Sequence, residues 1–428
     1  MKQITPKHNK KILAVTHQLL NTGASIALMN VINLWKNSGY ELEVISIKDG
    51  DLRKDIEELG IKVKIERRFA ADAGGFYDYV QQFDLVIANT LVTYEAVYIL
   101  NHTDIPVIWW IHEGEQYLER YRQALPGFAK LNSNIHIYSV SKYVQEAIRG
   151  IYGIETDLLP FEVRDVPSVA ALNVHRSEKV RFMTIGMYSY IKAQDILAAA
   201  IELLPEECMD RAEFMFYGGE EERDEEVYAS VRKLCKNNNN VQMCGSVSHD
   251  EILRKMDECD CLIVPSRFET MSAASVEMMM KRRTCLCTGA CGIAYYIEDG
   301  RNGYVVPSEN IIALAEKIKY IIEHEKEREQ AAVNGRLIYE ENFAPTVIDP
   351  CVLNITYDYT HPKENQMKAL AGCIFSILDA EKKGESFSEQ EKSQIVQSMQ
   401  LVINYVCENY DVHELQEAEE IINVFACE

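Results

Sequence analysis

Short apolar runs alternate with helical patterns through the first part of the chain. The strand-like runs of this part are residues 12–15, 43–46, 84–88, 106–110 and 136–140. Between the first two runs, residues 25–37 carry apolar side chains at helical spacing, and Ser38-Gly39 follows as a helix stop. Strands that alternate with helices indicate βαβ units, so we expect a parallel sheet within residues 1–160.

A second alternation of the same kind starts at Val180. Its strand-like runs are 182–185, 213–218, a run that begins at Val241, and 261–264. Its helical patterns include residues 193–204, 250–256 and 311–324. The stretch before it has no sustained period and contains prolines, which is typical of a linker. We therefore predict an α/β protein with parallel-sheet domains at 1–160 and 179–345, joined by a linker at 161–178.

The last part of the chain has a different, purely helical pattern. Its apolar positions fall into three groups: Met367, Leu370, Ile374, Ile377 and Leu378; Ile395, Met399, Val402 and Val406; and Leu415, Ala418, Ile421, Ile422 and Phe425. Ser388-Glu389-Gln390-Glu391 precedes the second group and has the form of a capping box. We expect residues 346–428 to be a closing segment and an acidic helical appendage. This appendage would pack on the body or form an oligomer through residues 361–428.

Composition and charge narrow the class of protein. The 428 residues carry a net charge of −22, with most of the acidic excess in the C-terminal half. Such a charge argues against nucleic acid as a partner, and only the nearly neutral N-terminal part could approach an anionic membrane. No apolar stretch reaches the roughly 20 residues that span a bilayer, and we interpret the N-terminal residues as a first strand instead of a signal peptide. We expect a cytoplasmic protein, with peripheral contact to the inner membrane face through its N-terminal domain.

The 12 cysteines favour the same compartment. None of them forms a Cys-x-x-Cys pair, and Cys259 and Cys261, like Cys285 and Cys287, lie two apart in strand-like runs. We interpret them as small core residues in a reducing environment; the alternative, a metal or redox site, lacks the required ligand spacing.

The segment 264–307 carries the most specific pattern. A strand-like run leads through Pro265-Ser266 to Glu269, and Glu277 follows within a predicted helix that starts near Thr270 or Ser272. Backbone N–H groups at a helix N-terminus form an anion site. With one carboxylate at its mouth and another about two turns deeper, this site suits a ligand that has both a diphosphate and sugar hydroxyls.

This segment resembles the donor-binding signature of the retaining glycosyltransferases of family 4. The resemblance covers the two glutamates eight positions apart and the later Asp299-Gly300-Arg301-Asn302-Gly303 stretch. It implies a GT-B fold, in which two Rossmann-like parallel-sheet domains face a cleft; the C-terminal helical appendage lies outside it. It also implies that Glu277 binds the nucleotide ribose, that Glu269 contacts the transferred sugar, and that Met271 and Ser272 hold phosphate through the helix N-terminus.

The resemblance also assigns roles to a lysine loop after the strand 182–185. Lys192 would contact the donor phosphates, because it stands where the family has a Lys-Gly pair after a Gly-Arg turn. The chain departs from that pattern at Met187, where many members have arginine, and at Ala193, where glycine is usual. A surface lysine without such a role is the alternative.

Two N-terminal features match the family as well. Thr22-Gly23-Ala24 corresponds to its glycine loop after the first strand, so Thr22 and Gly23 would approach the donor. His112 follows a strand where family members place a histidine against the donor sugar, although a lone histidine is often structural. Glu113 and Glu115 are candidate acceptor contacts.

The predicted activity follows from this resemblance. We expect a retaining glycosyltransferase that moves a sugar from a UDP- or GDP-sugar to a saccharide, lipid-linked or protein acceptor in bacterial glycan synthesis. The family works without a metal, and we interpret Asp49-Gly50-Asp51 as a loop, so no metal and no cofactor are expected. The alternatives are a non-catalytic partner subunit of a transferase and a GT-B phosphorylase or epimerase.

Overall fold

The computed structural model describes residues 4–6, 9–122, 125, 130–166, 179–219, 223–382, 387–412 and 422. The N-terminal part contains, in chain order, β1 (Ile4–Pro6), β2 (Lys11–Gln18), α1 (Gly23–Asn37), β3 (Glu41–Lys48), α2 (Leu52–Glu58), β4 (Lys62–Ile65), α3 (Ala73–Val80), β5 (Leu85–Asn89), α4 (Tyr94–Leu100), β6 (Val107–Ile111), α5 (Glu115–Tyr121), β7 (Ile135–Ser139), α6 (Lys142–Tyr152) and β8 (Asp157–Leu158).

The N-terminal sheet is parallel and has the order β4-β3-β2-β5-β6-β7-β8. Its central strands β5 and β6 are buried at every position, as expected when helices cover both faces of a parallel sheet. The strand order reverses direction between β2 and β5, and in such sheets ligands bind beyond the carboxyl ends of the strands at this switch point.

The second domain repeats this plan. Its elements are β9 (Val180–Ile185), α7 (Gln194–Glu202), α8 (Glu206–Asp210), β10 (Ala212–Tyr217), α9 (Glu225–Asn237), β11 (Val241–Gly245), α10 (His249–Glu258), β12 (Cys261–Val264), α11 (Ala273–Met280), β13 (Thr284–Thr288), β14 (Tyr304–Val306), α12 (Ile311–Glu323) and α13 (Glu325–Asn342). The strands are parallel in the order β11-β10-β9-β12-β13-β14, so the switch point lies between β9 and β12. The predicted pair of parallel-sheet domains is therefore confirmed.

The chain then returns to the first domain as α14 (Pro345–Thr360). Ile348 and Val352 of this helix belong to the N-terminal hydrophobic core, and the Trp35 indole N–H donates to Thr356 Oγ1 over 2.8 Å. The two crossings between the domains also touch, because Val163 N donates to the Phe343 carbonyl over 2.9 Å. The two chain segments that cross between the domains thus contact each other.

The C-terminal region contains α15 (Pro362–Lys382), α16 (Glu389–Asn409) and β15 (Tyr410–Val412), and β15 pairs antiparallel with β1. Ala371 and Ile374 of α15 pack with Val402 and Val406 of α16. The predicted capping box is confirmed, since Ser388 and Glu391 bond reciprocally. The third predicted helix lies outside the described residues except for Ile422, which is buried in this small core.

Two findings bear on the class of protein. Among the described helices, none combines the length and apolar character required to cross a bilayer. The cysteines in the described part of the chain are free thiols, and those of β12 and β13 are buried as predicted.

Candidate functional site

The carboxyl ends of the two sheets face each other across a cleft and approach closely at one side. Ser141, at the start of α6, donates through Oγ to the Thr270 carbonyl of the second domain over 2.5 Å. A side chain at Gly114 would come within 3.1 Å of Thr270 Cγ2. The signature segment therefore lies directly against the N-terminal domain.

Lys192 and Glu269 form an ion pair at the switch point of the second domain. The distance from Lys192 Nζ to Glu269 Oε1 is 2.8 Å, and Glu269 Oε2 accepts a hydrogen bond from Ser266 Oγ over 3.0 Å. Lys192 follows β9 and Glu269 follows β12, so the two strands that flank the switch point supply one group each. The lysine predicted to bind phosphate is thus placed beside the glutamate predicted to contact the sugar.

Glycine makes this arrangement possible at one position. Gly186 has φ 142°, and a Cβ there would lie 3.3 Å from three carbons of the Lys192 side chain. The lysine stem therefore lies across the Gly186 backbone. A larger residue would meet both the strained backbone conformation and this contact.

The two departures from the family pattern have different structural consequences. Ala193 adopts a left-handed conformation with φ 54°, which explains why glycine is usual there; the strain of a left-handed alanine is about 1–2 kcal/mol. Met187 is 53 % exposed on the same loop and supplies no charge.

Arg267 lies near that loop, but its guanidinium is bound by other groups of the protein. Its guanidinium forms a bidentate pair with Asp195, the Nη2–Oδ2 distance being 2.7 Å, and also contacts Glu309. Its Nη1 and backbone N donate to the carbonyls of Tyr190 and Ile191 over 2.7 and 2.9 Å. Arg267 therefore fastens the Lys192 loop to the turn that carries Glu269.

Glu277 lies on α11, behind the signature turn, and is held by a histidine. His249 Nε2, on the first residue of α10, is 2.7 Å from Glu277 Oε1. The Glu277 side chain is 13 % exposed, whereas that of His249 is 67 % exposed at the rim. This pairing raises the pKa of His249 above its ordinary value, chiefly through the hydrogen bond to the carboxylate.

The start of α11 combines a capped terminus with buried side chains. Ser272 Oγ caps the helix by accepting from Ser275 N over 3.3 Å, and the Met271 side chain packs in the core of the domain. Any contact of Met271 and Ser272 with phosphate would therefore use their backbone N–H groups, not their side chains.

The N-terminal domain presents Thr22 and Gly23 at the start of α1. Thr22 Oγ1 accepts from Gln18 Nε2 over 3.3 Å and lies 3.1 Å from Ser25 Oγ. A Cβ at Gly23 would meet nothing within 4 Å. The backbone here is thus open to a ligand, as a glycine loop requires.

His112 and His17 lie together at the N-terminal switch point and are both kept neutral. Burial lowers the pKa of His112 to about 3, with His17 nearby adding to the effect, and burial with Lys48 lowers the pKa of His17 to about 4. His112 Nε2 is buried and makes no hydrogen bond to any described residue. A neutral imidazole with one free nitrogen is suited to a hydrogen bond with an uncharged sugar hydroxyl.

Glu113 supports the backbone next to these histidines. Its Oε2 accepts from the backbone N–H groups of Leu91 and His112 over 2.9 and 3.1 Å. Burial raises the pKa of Glu113 to about 7, against the lowering effect of these hydrogen bonds. Glu113 thus supports the backbone at His112, whereas Glu115 is exposed in the first turn of α5.

Thr90 belongs to the same network. It adopts φ 79°, accepts through its carbonyl from Trp109 Nε1 over 2.9 Å, and places Oγ1 3.0 Å from His17 Nδ1. A threonine held at positive φ is strained, and such strain concentrates at functional sites.

The structure brings most of the predicted site residues to the cleft ends of the two sheets. Lys192, Glu269, Glu277 and the start of α11 lie on one side, and Thr22, Gly23 and His112 lie on the other. Sequence analysis missed His249 and Arg267. Arg267 lies within the Pro-Ser to Glu interval, but its partner Asp195 is 72 positions away, so no local pattern could reveal the pair.

Asp49 and Asp51 belong to a loop and turn, as predicted. Asp49 Oδ2 pairs with Arg53 Nη1 over 2.8 Å, and Asp51 stands at the start of α2. In the described part of the chain, no cluster of three or more His, Cys, Asp or Glu side chains has the geometry of a metal site.

Each of the two domains matches a family model of glycosyltransferases. Residues 171–337 match the family model described as glycosyl transferases group 1, and residues 8–146 match the model of glycosyl-transferase family 4. The two matches contain every site residue described above.

Two curated proteins resemble shorter stretches of the chain. An uncharacterized glycosyltransferase of Methanocaldococcus jannaschii is 30 % identical over 115 residues, which is 26 % of this chain and 33 % of that protein. The alpha-D-kanosaminyltransferase of Streptomyces kanamyceticus is 28 % identical over 95 residues, 22 % of this chain and 25 % of that protein. The matched stretches thus span a third or less of these relatives.

Solved structures resemble the chain over both domains. HepE of Anabaena, crystallised with UDP and glucose, has a TM-score of 0.66 at 20 % identity and covers 82 % of this chain and 99 % of its own. A glycosyltransferase of Rickettsia africae has a TM-score of 0.68 at 16 % identity, with 83 % and 100 % covered. At these identities the likeness shows the fold, which is the predicted GT-B arrangement.

Proposed function

The chain belongs to glycosyltransferase family 4, and from this premise we propose that it transfers a sugar from a nucleotide-sugar donor to an acceptor hydroxyl with retention of configuration. The observation that carries the proposal is the pairing of Lys192 with Glu269 at the switch point, over 2.8 Å. In this proposal the ammonium of Lys192 meets the leaving diphosphate, and the carboxylate of Glu269 contacts the sugar. The resemblance to HepE, whose structure contains UDP and glucose, supports a donor of this type.

In this proposal the second domain binds the donor. Glu277 accepts from the ribose hydroxyls, and the N-terminus of α11 with Lys192 receives the diphosphate. The negative charge of the leaving diphosphate grows in the transition state, so a fixed ammonium and N–H groups lower the barrier. When the donor binds, Lys192 would turn from Glu269 to the phosphate oxygens.

The N-terminal domain supplies the other wall of the cleft. His112 would orient the sugar through its unpartnered Nε2, since its low pKa keeps the ring neutral at pH 7. The acceptor hydroxyl attacks from the face that the diphosphate leaves, and its proton passes to the leaving phosphate. No covalent intermediate with the protein and no metal are required in this scheme.

The acceptor would enter between the domains on the N-terminal side. We propose a saccharide, lipid-linked or protein acceptor in glycan synthesis, reached from the cytoplasm with peripheral contact at the membrane. Pocket shape sets that choice, not the residues that carry the chemistry.

One observation favours a second candidate, a non-catalytic subunit of a transferase. Met187 replaces the expected arginine, and Arg267 is already engaged by Asp195 and Glu309. Among the described residues of this loop, Lys192 is then the cation available to a diphosphate. A subunit of this kind would retain the cleft without turnover.

Turnover of candidate donors separates these two functions. The purified chain is incubated with UDP- and GDP-sugars and a panel of acceptors, with and without EDTA, and nucleotide release and product anomers are followed by NMR. The proposal predicts release of one nucleotide, unaffected by EDTA, and a product with the anomeric configuration of the donor. Nucleotide binding without release from any donor would favour the non-catalytic subunit, and an inverted product would contradict retention.

A further inference from the structure

We propose that His249 is a positioning residue for the nucleotide ribose, because it fixes the carboxylate of Glu277 so that one oxygen remains for the ribose hydroxyls. This inference rests on the proposed function, since it concerns the donor site of that reaction. It adds a residue outside the signature segment, located on α10 and 28 positions before Glu277.

The chemistry of the two groups sets the direction of the hydrogen bond. An ionised carboxylate only accepts, so the proton between His249 Nε2 and Glu277 Oε1 comes from the imidazole, over 2.7 Å. This holds for the charged ring and for the neutral tautomer with a proton on Nε2. His249 therefore occupies Oε1 and leaves Oε2 as the acceptor for a ligand.

Burial explains why Glu277 needs such a support. Its side chain is only 13 % exposed, and it is flanked on α11 by Val276 and Met278, which are fully buried. A carboxylate in such surroundings is costly unless it is hydrogen-bonded, and an unsupported one would turn towards water. The exposed imidazole at the rim supplies the bond without burying a second charge.

The two signature glutamates are then held in the same way. Each has its Oε1 bound by a basic side chain from a β–α connection of the same sheet: Lys192, between β9 and α7, for Glu269, and His249, at the start of α10, for Glu277. In both cases the partner precedes the glutamate in sequence and lies on a separate element. Preorganised acceptors of this kind bind a ligand with less loss of conformational entropy.

The charged groups that act on the imidazole in the described structure are Glu277 of α11 and Asp250 of its own helix. Both are acidic and favour the protonated ring. His249 at the rim therefore carries positive charge more readily than an isolated histidine, which suits a polyanionic ligand.

A ligand pair that differs only in the ribose tests this role. The affinities of UDP and of 2′,3′-dideoxy-UDP are measured by calorimetry for the wild type, His249→Ala and His249→Gln, with GDP or ADP and their dideoxy forms used instead if the wild type binds those. Lys255→Ala, which changes a partly exposed side chain paired with Glu258 on the same helix, is the matched control.

The inference predicts a thermodynamic coupling between His249 and the ribose hydroxyls. His249→Ala should weaken nucleotide binding roughly fivefold or more, the loss of one charge-assisted hydrogen bond, while the affinity for the dideoxy form stays the same. His249→Gln, which keeps an N–H donor, should recover most of the affinity, and Lys255→Ala should match the wild type.

The contrary results are distinct from a failure of the proposed function. A smaller loss for His249→Ala, or an equal loss for both forms of the nucleotide, would overturn the role of His249 while nucleotide binding by the wild type stands. If the wild type binds no nucleotide, the proposed function fails and this inference fails with it.

Discussion

At the scale of single residues, the proposed donor site is built from carboxylates with defined partners. Glu269 is bound by Lys192 and Ser266, and Glu277 by His249. Such pairs keep the glutamates oriented before a ligand arrives. The chemistry we propose therefore depends most on the one residue that must change partner, Lys192.

Replacing Lys192 by alanine should reduce turnover far more than donor affinity. The ammonium interacts most strongly with the diphosphate charge that grows in the transition state, and the loss of one such group typically costs about 10²–10³ in kcat. Lys192→Arg keeps the charge and serves as the control, with a smaller loss expected. Steady-state kcat and KM of both variants give the answer, and a Lys192→Ala enzyme with wild-type kcat would remove the lysine from the mechanism.

Glu113 offers a test by pH, because burial raises its pKa to about 7 from an ordinary 4.5. Between these values the folded state binds the proton more tightly than the unfolded state, so this group lowers stability progressively as pH rises from 4.5 to 7. Glu113→Gln removes that effect. We expect the variant to lose less thermal stability than the wild type between pH 5 and pH 8.

The lowered pKa values of His17 and His112 act in the other direction, since stability falls as pH drops below 6.5 while unfolded histidines gain protons. Both histidines are present in both proteins, so their contribution cancels in the comparison. Parallel melting temperatures of wild type and Glu113→Gln across this pH range would mean that Glu113 is ionised in the folded protein at every pH tested.

Sequence could identify the residues of contiguous segments but not their distant partners. Glu269 and Glu277 were found because strand, turn and helix follow each other within one stretch. His249 and Arg267 were missed because their partners are 28 and 72 positions away, and such contacts depend on how the sheet arranges its strands. The support that Glu113 gives to the backbone was missed for the same reason, because Glu113 accepts a hydrogen bond from Leu91 N of another element.

At the scale of elements, the lysine loop and the signature turn form one unit. Arg267 connects them through Asp195, Tyr190 and Ile191, and its guanidinium stacks 4.0 Å from the Tyr190 ring centre. Both elements follow strands, as the sequence alternation predicted, and these two strands flank the switch point. The link between them was not predicted, because the family pattern assigns no role to Arg267.

Weakening this link should loosen the loop that carries Lys192. Arg267→Lys keeps the charge but loses the bidentate geometry, so we expect a loss of about 1–3 kcal/mol in stability and faster hydrogen exchange in residues 186–193. Arg301→Lys, an exposed pair with Glu298, is the matched control and should change neither property. Unchanged exchange in Arg267→Lys would show that the loop is ordered without the arginine.

At the scale of the whole molecule, α6 connects the first domain to the second. Ser141 bonds the Thr270 carbonyl, Glu146 bonds the Tyr295 hydroxyl, and Lys142 lies 5.6 Å from the Tyr296 ring centre. These contacts lie at the edge of the cleft. They are therefore placed to hold the two domains together.

Removing one of these contacts should favour an open arrangement of the domains. Tyr295→Phe deletes the hydroxyl that Glu146 accepts from, and we expect a larger radius of gyration by X-ray scattering together with a raised KM for the donor. Tyr77→Phe, an exposed tyrosine on α3, is the control. Identical scattering and kinetics for Tyr295→Phe and wild type would show that this contact does not influence closure.

Donor binding at the signature segment is the central claim, and thermal stabilisation by nucleotides tests it most directly. The wild type and Glu277→Ala are melted with UDP, GDP and ADP and their common sugars, with and without EDTA. We predict that one nucleotide series raises the melting temperature of the wild type by about a few degrees, that EDTA leaves the shift unchanged, and that Glu277→Ala loses most of it. No shift with any nucleotide, or an equal shift in Glu277→Ala, would contradict the account.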